Sequence, residues 1–273
     1  TVLNILGMNI KHSHRLGPWK QFLHKLKNPK HTVKIALVGK YAELQDAYKS
    51  IDESIIHAGV TNETKAQVTH LHAEKINENN YNDILSEFDG IVIAPGFGKR
   101  GIEGKIFTAR FARENNIPFL GICLGMQCAV IEFARNVIGF DNADSTEIAT
   151  NTQYPVIDLM ENQKQITKKG GTMRLGAYPC VLSKLSNSYV AYKRINIRER
   201  HRHRYEFNNI YLEDFINHGM KPVGINPDSE LVEIMEIPEH KWFVGVQFHP
   251  EYQSTVIKPH PLFVNFIKAS LKL

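Results

Sequence analysis

Cysteine is scarce in this 273-residue chain. Only Cys123, Cys128 and Cys180 are present, an odd number without a C-x-x-C pair. That excludes a disulfide-stapled scaffold and a zinc knuckle, and it fits a reducing compartment, expected to be the cytoplasm. Long apolar runs are missing as well. No stretch approaches the roughly 20 residues that span a bilayer, so no membrane partner is expected. The opening residues, Thr1-Val-Leu-Asn-Ile-Leu-Gly-Met8, lack a basic flank and a cleavage site and do not read as a secretory signal. A chain that opens on Thr is expected to be a piece of a longer one. Charge of one sign is also weak: Lys and Arg number 33 against 28 Asp and Glu, a formal net charge of +5. Such mild basicity suits anionic small molecules, and nucleic acid is not expected as a partner. With 42% hydrophobic and 22% charged residues, wholesale disorder, collagen-like and coiled-coil architectures are excluded.

What is present is a strand-helix alternation. Residues 1–31 are irregular and rich in Lys and His, with Trp19, Phe22, Leu23 and Leu26 at helical spacing after Gly17-Pro18. They are expected to be a linker that carries one short amphipathic helix ending near Asn28-Pro29. From Val33 to Gly39 a short apolar run stops at glycine, as a buried parallel strand does. The pattern then predicts a helix over Leu44 to His57 capped at Gly59, a strand over Ala66 to Leu71, a helix over Tyr81 to Phe88, and a strand over Asp89 to Ala94. A helix over Ile102 to Asn115, a strand over Ile117 to Ile122 and a helix over Leu124 to Val137 follow. Four such units predict an α/β fold: a doubly wound, mostly parallel sheet with helices on both faces. Beyond Phe140, strand candidates at Val156–Met160, Thr172–Leu175, Pro179–Leu182, Leu231–Ile237 and Phe243–Gln247 are expected as added antiparallel strands. A last helix is predicted over Pro261 to Leu271. The polar, Gly-ended stretch Asn162 to Gly171 reads as a mobile loop.

The strongest chemical feature is Gly121-Ile-Cys123-Leu-Gly125. A buried strand delivers Cys123 to a sharp turn and a helix starts at once, the thiol form of a nucleophile elbow. Glycine at both flanks keeps a tight, strained turn uncrowded. The helix N-terminus beside Cys123 favours thiolate. Cys128 and Cys180 lack an elbow and read as small buried hydrophobes. A thiolate nucleophile needs an imidazole and an orienting acid. His249 ends a strand, Pro250 breaks it, and Glu251 follows on the same side of an extended segment. Pro95-Gly96-Phe97-Gly98 ends the neighbouring strand, and its free N–H groups, with that of Leu124, suit a developing oxyanion. A Gly-rich loop also raises phosphate binding, but the G-x-x-x-x-G-K-[ST] pattern is absent. The run Arg198-Glu-Arg-His-Arg-His-Arg204 reads either as a charged strand face or as the source of an Arg that clamps a carboxylate.

These residues resemble the class I (triad) glutamine amidotransferase domains of the CTP synthase family. The resemblance rests on Gly121-Ile-Cys-Leu-Gly-Met-Gln127, Asn142-Ala-Asp-Ser-Thr-Glu147, Val38-Gly-Lys-Tyr41 with Asp46-Ala-Tyr-Lys-Ser50, Gly170-Gly-Thr-Met-Arg-Leu-Gly176, Glu199-Arg-His-Arg-His-Arg-Tyr-Glu206 and Val246-Gln-Phe-His-Pro-Glu251. It covers residues 32–273, so 32–273 is expected to be a glutaminase domain and 1–31 the end of a linker from an N-terminal synthetase domain. It implies hydrolysis of L-glutamine to glutamate and ammonia, with Cys123 as nucleophile, His249 as general base and acid, and Glu251 as orienting acid. It implies glutamine contacts at Gly96, Leu124, Gln127, Glu147 and Arg204, and a place near a GTP activator site for Arg174. No cofactor or metal is implied for this step. ATP, Mg and UTP are implied for the synthetase domain, GTP as an allosteric activator, and a homotetramer for the full-length enzyme. Two positions depart from the family pattern. Pro95 stands where the family usually has the first Gly of Gly-Gly-Phe-Gly and has no N–H to donate. Tyr252-Gln-Ser-Thr-Val follows Glu251 instead of Phe-x-Ser-Arg-Pro.

Two other readings fit the elbow. One is another thiol hydrolase that cleaves γ-glutamyl amides larger than glutamine. The other is a non-catalytic module that binds glutamine or a partner.

Overall fold

The structure is a computed structural model that describes residues 5–8, 16–44, 46–159 and 173–272. Helix α1 (Gly17–Lys27) precedes β1 (His31–Gly39). The alternation continues through α2 (Lys49–Thr61), β2 (Thr64–His72), α3 (Tyr81–Leu85), β3 (Gly90–Ile93), α4 (Ile102–Glu114), β4 (Phe119–Ile122) and α5 (Leu124–Phe133). Then come β5 (Ala143–Ser145), β6 (Tyr154–Leu159), β7 (Arg174–Leu182), α6 (Asn187–Tyr192), β8 (Asn196–His203), β9 (Tyr205–Phe207), α7 (Leu212–His218), β10 (Lys221–Ile225), β11 (Val232–Glu236), β12 (Phe243–Val246) and α8 (Pro261–Ser270).

A 9-stranded sheet runs in the order β2-β1-β3-β4-β12-β11-β10-β7-β8. The half from β2 to β12 is parallel and the half from β12 to β8 antiparallel. Side chains alternate across the parallel strands, as the two-residue repeat of a strand requires. Ile35 and Leu37 of β1 join a core with Ile51 and Ile55 of α2 and Phe263 and Phe266 of α8. Ala36 and Val38 face the other way, onto Ile106 of α4 and Met126 and Val130 of α5. Both faces are therefore covered, which is why these strands read as unbroken apolar runs. Phe119 and Phe243 stack at 4.3 Å across the β4–β12 pair, in register with each other.

The expected doubly wound, mostly parallel sheet with antiparallel additions is the fold observed. Its details differ in places. The helix predicted from Leu44 starts only at Lys49 and runs through Gly59 to Thr61. Packing decides its start: the Tyr48 ring turns under the end of β1, and its hydroxyl accepts the N–H of Tyr41 at 3.3 Å. The long helix predicted from Leu124 changes to a π turn over Ala134–Ile138. The two strands predicted at Thr172–Leu175 and Pro179–Leu182 are one, β7, paired along its length with β8. A separate 3-stranded sheet, β5-β6-β9, was not anticipated, nor were β10, α6 and α7. The loop Asn162–Gly171 lies outside the described residues, as do Met160 and Thr172. The short helix predicted within residues 1–31 is present as α1, with Trp19, Leu23 and Leu26 exposed and Phe22 edge-on to His57 at 6.1 Å. Among the described residues, no helix is long and apolar enough to cross a membrane.

Candidate active site

Strand β4 sits between β3 and β12, and all three run parallel. Their carboxyl ends therefore open on one edge of the sheet, where open α/β folds hold their ligands. Cys123 leaves β4, the Pro95–Gly98 loop leaves β3, and His249 follows β12 by three residues. Sheet order alone brings a thiol, backbone N–H groups and an imidazole to the same rim.

The elbow is as tight as the sequence suggests. Cys123 has φ 53 and ψ −104, a conformation that costs a non-glycine residue about 1–3 kcal/mol and persists only when its surroundings enforce it. Its N–H donates to Val246 O at 2.7 Å, and its carbonyl accepts from Gln127 N at 3.2 Å. A Cβ on Gly121 would lie 2.7 Å from the Gly125 backbone, and one on Gly125 would lie 2.4 Å from Ile93 O. Neither position tolerates a side chain. The turn makes Cys123 the N-cap residue of α5.

His249 and Glu251 are paired. Nδ1 of the imidazole lies 2.8 Å from Glu251 Oε1, and both side chains are buried. The His249 N–H donates to Arg200 O at 2.8 Å, so β8 fixes the backbone of the segment. The Tyr252 ring stacks on the imidazole at 5.2 Å. With Nδ1 held by Glu251, Nε2 is the nitrogen left for another partner, and it makes no hydrogen bond among the described residues. Burial disfavours charge on His249, but the neighbouring Cys123 sulfur and Glu251 carboxylate outweigh it and raise the pKa to about 10. Imidazole and sulfur are thus coupled. The other two thiols are not poised in this way: burial pushes Cys128 up to about 12 and raises Cys180 as well.

The remaining predicted residues gather around this rim to different degrees. Gly96 borders Leu124: a Cβ built on Gly96 would lie 3.5 Å from Leu124 Cδ2. Glu147, just past β5, accepts the Gly98 N–H at 3.0 Å. One N–H of the loop is therefore engaged by a carboxylate rather than free for an oxyanion. Gly96, Gly98 and Gly101 also stand at G-x-G-x-x-G spacing, but the same bond takes the Gly98 N–H away from any phosphate. Glu147 and Arg204 both act on the Tyr205 phenol, whose pKa rises through burial, then the Glu147 carboxylate, with Arg204 opposing. Charges of opposite sign thus act on one phenol.

Gln127 is nearly buried and points inward. Its Nε2 donates to Tyr205 O at 2.9 Å and to Gln247 Oε1 at 3.1 Å. Gln247, which the sequence reading did not single out, is fully buried and donates through Nε2 to Cys123 Sγ at 3.6 Å. Its signal was its place in Val246-Gln-Phe-His-Pro-Glu251, one residue beyond β12. Lys40 was also passed over; its Nζ donates to Phe97 O.

Arg174 stands apart. Its guanidinium is buried, bonded to Glu206 at 3.2 Å and Glu233 at 2.6 Å, and lies over the Tyr178 ring at 4.4 Å. His201 and His203, in contact at 2.9 Å, complete this interior network. The basic run is thus a strand in strict alternation: Arg198, Arg200 and Arg202 are exposed, while Glu199, His201 and His203 are buried. A polar cavity of about 680 Å³ beside residues 141–153 is lined by Lys99, Arg135 and Asp144 and does not include the cysteine. Cys123 itself retains only 3% exposure.

Comparison with known proteins follows the same lines. Residues 43–269 match the family described as glutamine amidotransferase class-I. A CTP synthase of Flavobacterium psychrophilum is 58% identical over 270 residues, covering 99% of this chain and 50% of that protein. One of Bacteroides fragilis is 57% identical over 271 residues, covering 99% of this chain and 51% of that protein. The chain spans about half the length of these relatives. Among solved structures, the glutaminase domain of Trypanosoma brucei CTPS with bound acivicin superposes with a TM-score of 0.82 at 36% identity. That match covers 87% of this chain and 93% of the other.

Proposed function

Because the chain belongs to the class I glutamine amidotransferase family, among the glutaminase domains of CTP synthases, we propose that its own rim residues hydrolyse L-glutamine to glutamate and ammonia. The observation that carries this reading is the meeting of three neighbouring strand ends. A strained Cys123 sits between the Gly96 loop on one side and the His249–Glu251 pair on the other.

The Cys123 sulfur attacks the side-chain amide carbon of glutamine, and the carbonyl oxygen takes up the negative charge. The N–H groups of Gly96 and Leu124 face that oxygen; one such donor lost costs roughly 10²–10³ in rate. The His249 imidazolium, which its neighbours keep protonated at neutral pH, gives a proton to the departing amide nitrogen, and ammonia leaves. The neutral imidazole then takes a proton from water, whose oxygen attacks the thioester. The tetrahedral adduct collapses, glutamate leaves, and the thiolate-imidazolium pair is restored. Glu251 holds the ring so that Nε2 faces the sulfur throughout. Glu147 and Arg204 hold the α-ammonium and α-carboxylate of the substrate. Gln127 acts from below, through Gln247 and the Tyr205 carbonyl.

In the longer protein the ammonia serves an ATP-, Mg- and UTP-dependent amination to CTP in an N-terminal synthetase domain joined through residues 1–31. GTP is the proposed allosteric activator and a homotetramer the proposed assembly, in the cytoplasm. On this reading Arg174 answers to GTP through the buried network that it anchors, since its guanidinium is not offered to solvent.

The test is ammonia release together with covalent labelling by a diazo-ketone analogue of glutamine. Wild type is expected to release ammonia and take one label at Cys123. Cys123→Ala is expected to fold, release none and take no label. Turnover that survives in Cys123→Ala sinks the proposal. A wild type that cleaves larger γ-glutamyl amides in preference to glutamine supports the hydrolase alternative.

A further inference from the structure

Lys105 has no solvent exposure. A lysine is rarely buried so completely without a partner that needs it. It stands in the first turn of α4, and Gly104 is what lets it in: a Cβ there would lie 1.8 Å from Ala73 O, so this helix presses directly on the backbone after β2. From there Lys105 reaches under the loop that follows β3. Its Nζ donates to Ala94 O at 2.7 Å. The same Nζ lies 3.8 Å from where a Cβ of Gly96 would stand, and Cε of Lys40 lies 3.7 Å from that point.

Two ammonium groups thus hold carbonyls on either side of Gly96. Lys105 takes the carbonyl of Ala94 and Lys40 that of Phe97. The Ala94 N–H is anchored to Val38 O at 2.9 Å, and the Gly98 N–H to Glu147 at 3.0 Å. Pro95 has a fixed φ and donates nothing. The N–H groups of Gly96 and Phe97 are the donors left between these four restraints, and that geometry sets the direction in which the Gly96 N–H points.

We propose that Lys105 is a positioning residue for glutamine hydrolysis, holding the Ala94 carbonyl from beneath so that the Gly96 N–H stays aimed at the oxyanion that forms beside Cys123. The inference rests on the assignment of Gly96 as an oxyanion donor made above. Electrostatics point the same way. Burial pulls the Lys105 ammonium down to about 8; Cys128 opposes the shift, Lys40 adds to it, and Cys123 opposes it. The cation is therefore present at neutral pH and begins to be lost just above it, with Lys40 and the sulfurs of Cys123 and Cys128 as the groups that face it.

Lys105→Met keeps the length of the side chain and removes both donor and charge. In the full 273-residue chain, kcat for ammonia release is expected to fall about 10²-fold, the effect of a donor displaced by roughly 1 Å. KM for glutamine is expected to stay within about threefold, and cooperative thermal unfolding is expected to persist. A structural role alone would not separate kcat from KM in this way. A variant with wild-type kcat overturns the inference, as does a loss carried mainly by KM. Should Lys105→Met not fold, Lys105→Gln decides: its shorter side chain falls short of the Ala94 carbonyl, so kcat is expected to fall about 10²-fold with KM within about threefold, and a wild-type kcat or a loss carried mainly by KM overturns the inference. Wild-type turnover, measured in parallel, keeps the two readings distinct. Wild-type turnover with an unaffected variant sinks only the role of Lys105, whereas a wild type without turnover sinks the glutaminase reading as well.

Discussion

Glu147 accepts the backbone N–H of Gly98 at 3.0 Å, so the carboxylate proposed to hold the substrate's ammonium also ties down the loop beside the nucleophile. Its own N–H donates to Ser145 Oγ at 3.2 Å, which roots that carboxylate in β5 and the smaller sheet.

Glu147 is therefore expected to respond differently to two substitutions. Glu147→Gln keeps an acceptor for Gly98 but loses the charge. KM for glutamine should rise at least tenfold, about the 1.5–3 kcal/mol of a charge-assisted hydrogen bond, with kcat nearly kept. Glu147→Ala removes both functions and should lower kcat as well. Steady-state ammonia release separates the cases, and the same kinetic pattern in both variants would sink the dual role.

The raised pKa of His249 makes stability depend on pH. The folded group titrates at about 10, above an ordinary value of 6.5. Below about pH 6.5 both folded and unfolded states hold the proton and the stabilisation is complete. Between the two values only the folded state holds it, so stability falls as pH rises and the contribution is gone above about 10. Glu251→Gln removes one of the groups that lift the pKa. Its urea midpoint should therefore decline less than that of wild type from pH 7 to 10; parallel declines would remove Glu251 as a cause.

The centre of the parallel half was legible because β3, β4 and most of β1 are buried on both faces and read as short apolar runs, while the edge strand β2 shows itself by alternation. The elbow at Cys123 was legible for a related reason: Gly121 and Gly125 are steric necessities of the turn, and a steric necessity leaves a mark in sequence. The short strands β5 and β9, of three residues each, carry no period long enough to read. Gln247 stood inside a recognised motif, but its meaning lies in a contact with a residue 124 positions away, which no local pattern displays. Lys105 reads as an ordinary helical surface residue, and only the approach of α4 to Ala73 puts it inside. The start of α2 was misplaced because the packing of Tyr48 overrides local helical preference.

A buried ion pair away from the rim offers a test of packing alone. Arg113 bonds Glu132 at 2.7 Å, with the carboxylate wholly buried and the Arg side chain 18% exposed. Arg113→Met strands a buried carboxylate and should cost about 3–5 kcal/mol. Glu132→Gln leaves a guanidinium that still reaches solvent and lies 3.2 Å from Glu114, so it should cost less than half as much. Denaturant midpoints check the asymmetry, and equal losses would show that the carboxylate is not the group whose burial matters.

The contact between Gln247 and the nucleophile gives the last prediction. Gln247 Nε2 donates to Cys123 Sγ at 3.6 Å, while its Oε1 accepts from Gln127 at 3.1 Å. The sulfur is thus held from the side of β12 by an amide whose own orientation is set by a second amide. Gln247→Leu fills the space but supplies no donor, and it leaves the Gln127 amide with Tyr205 O alone. The sulfur is then free to turn away from the imidazole. Both labelling of Cys123 by the diazo-ketone analogue and kcat should fall about tenfold or more, since a single hydrogen bond to a charged group contributes about 1.5–3 kcal/mol. Gln247→Glu keeps the shape but sets a carboxylate against a thiolate, and should label more slowly still, with the deficit shrinking as pH is lowered and the carboxyl takes up a proton. Labelling rates that match wild type in both variants would show that the elbow alone holds the sulfur.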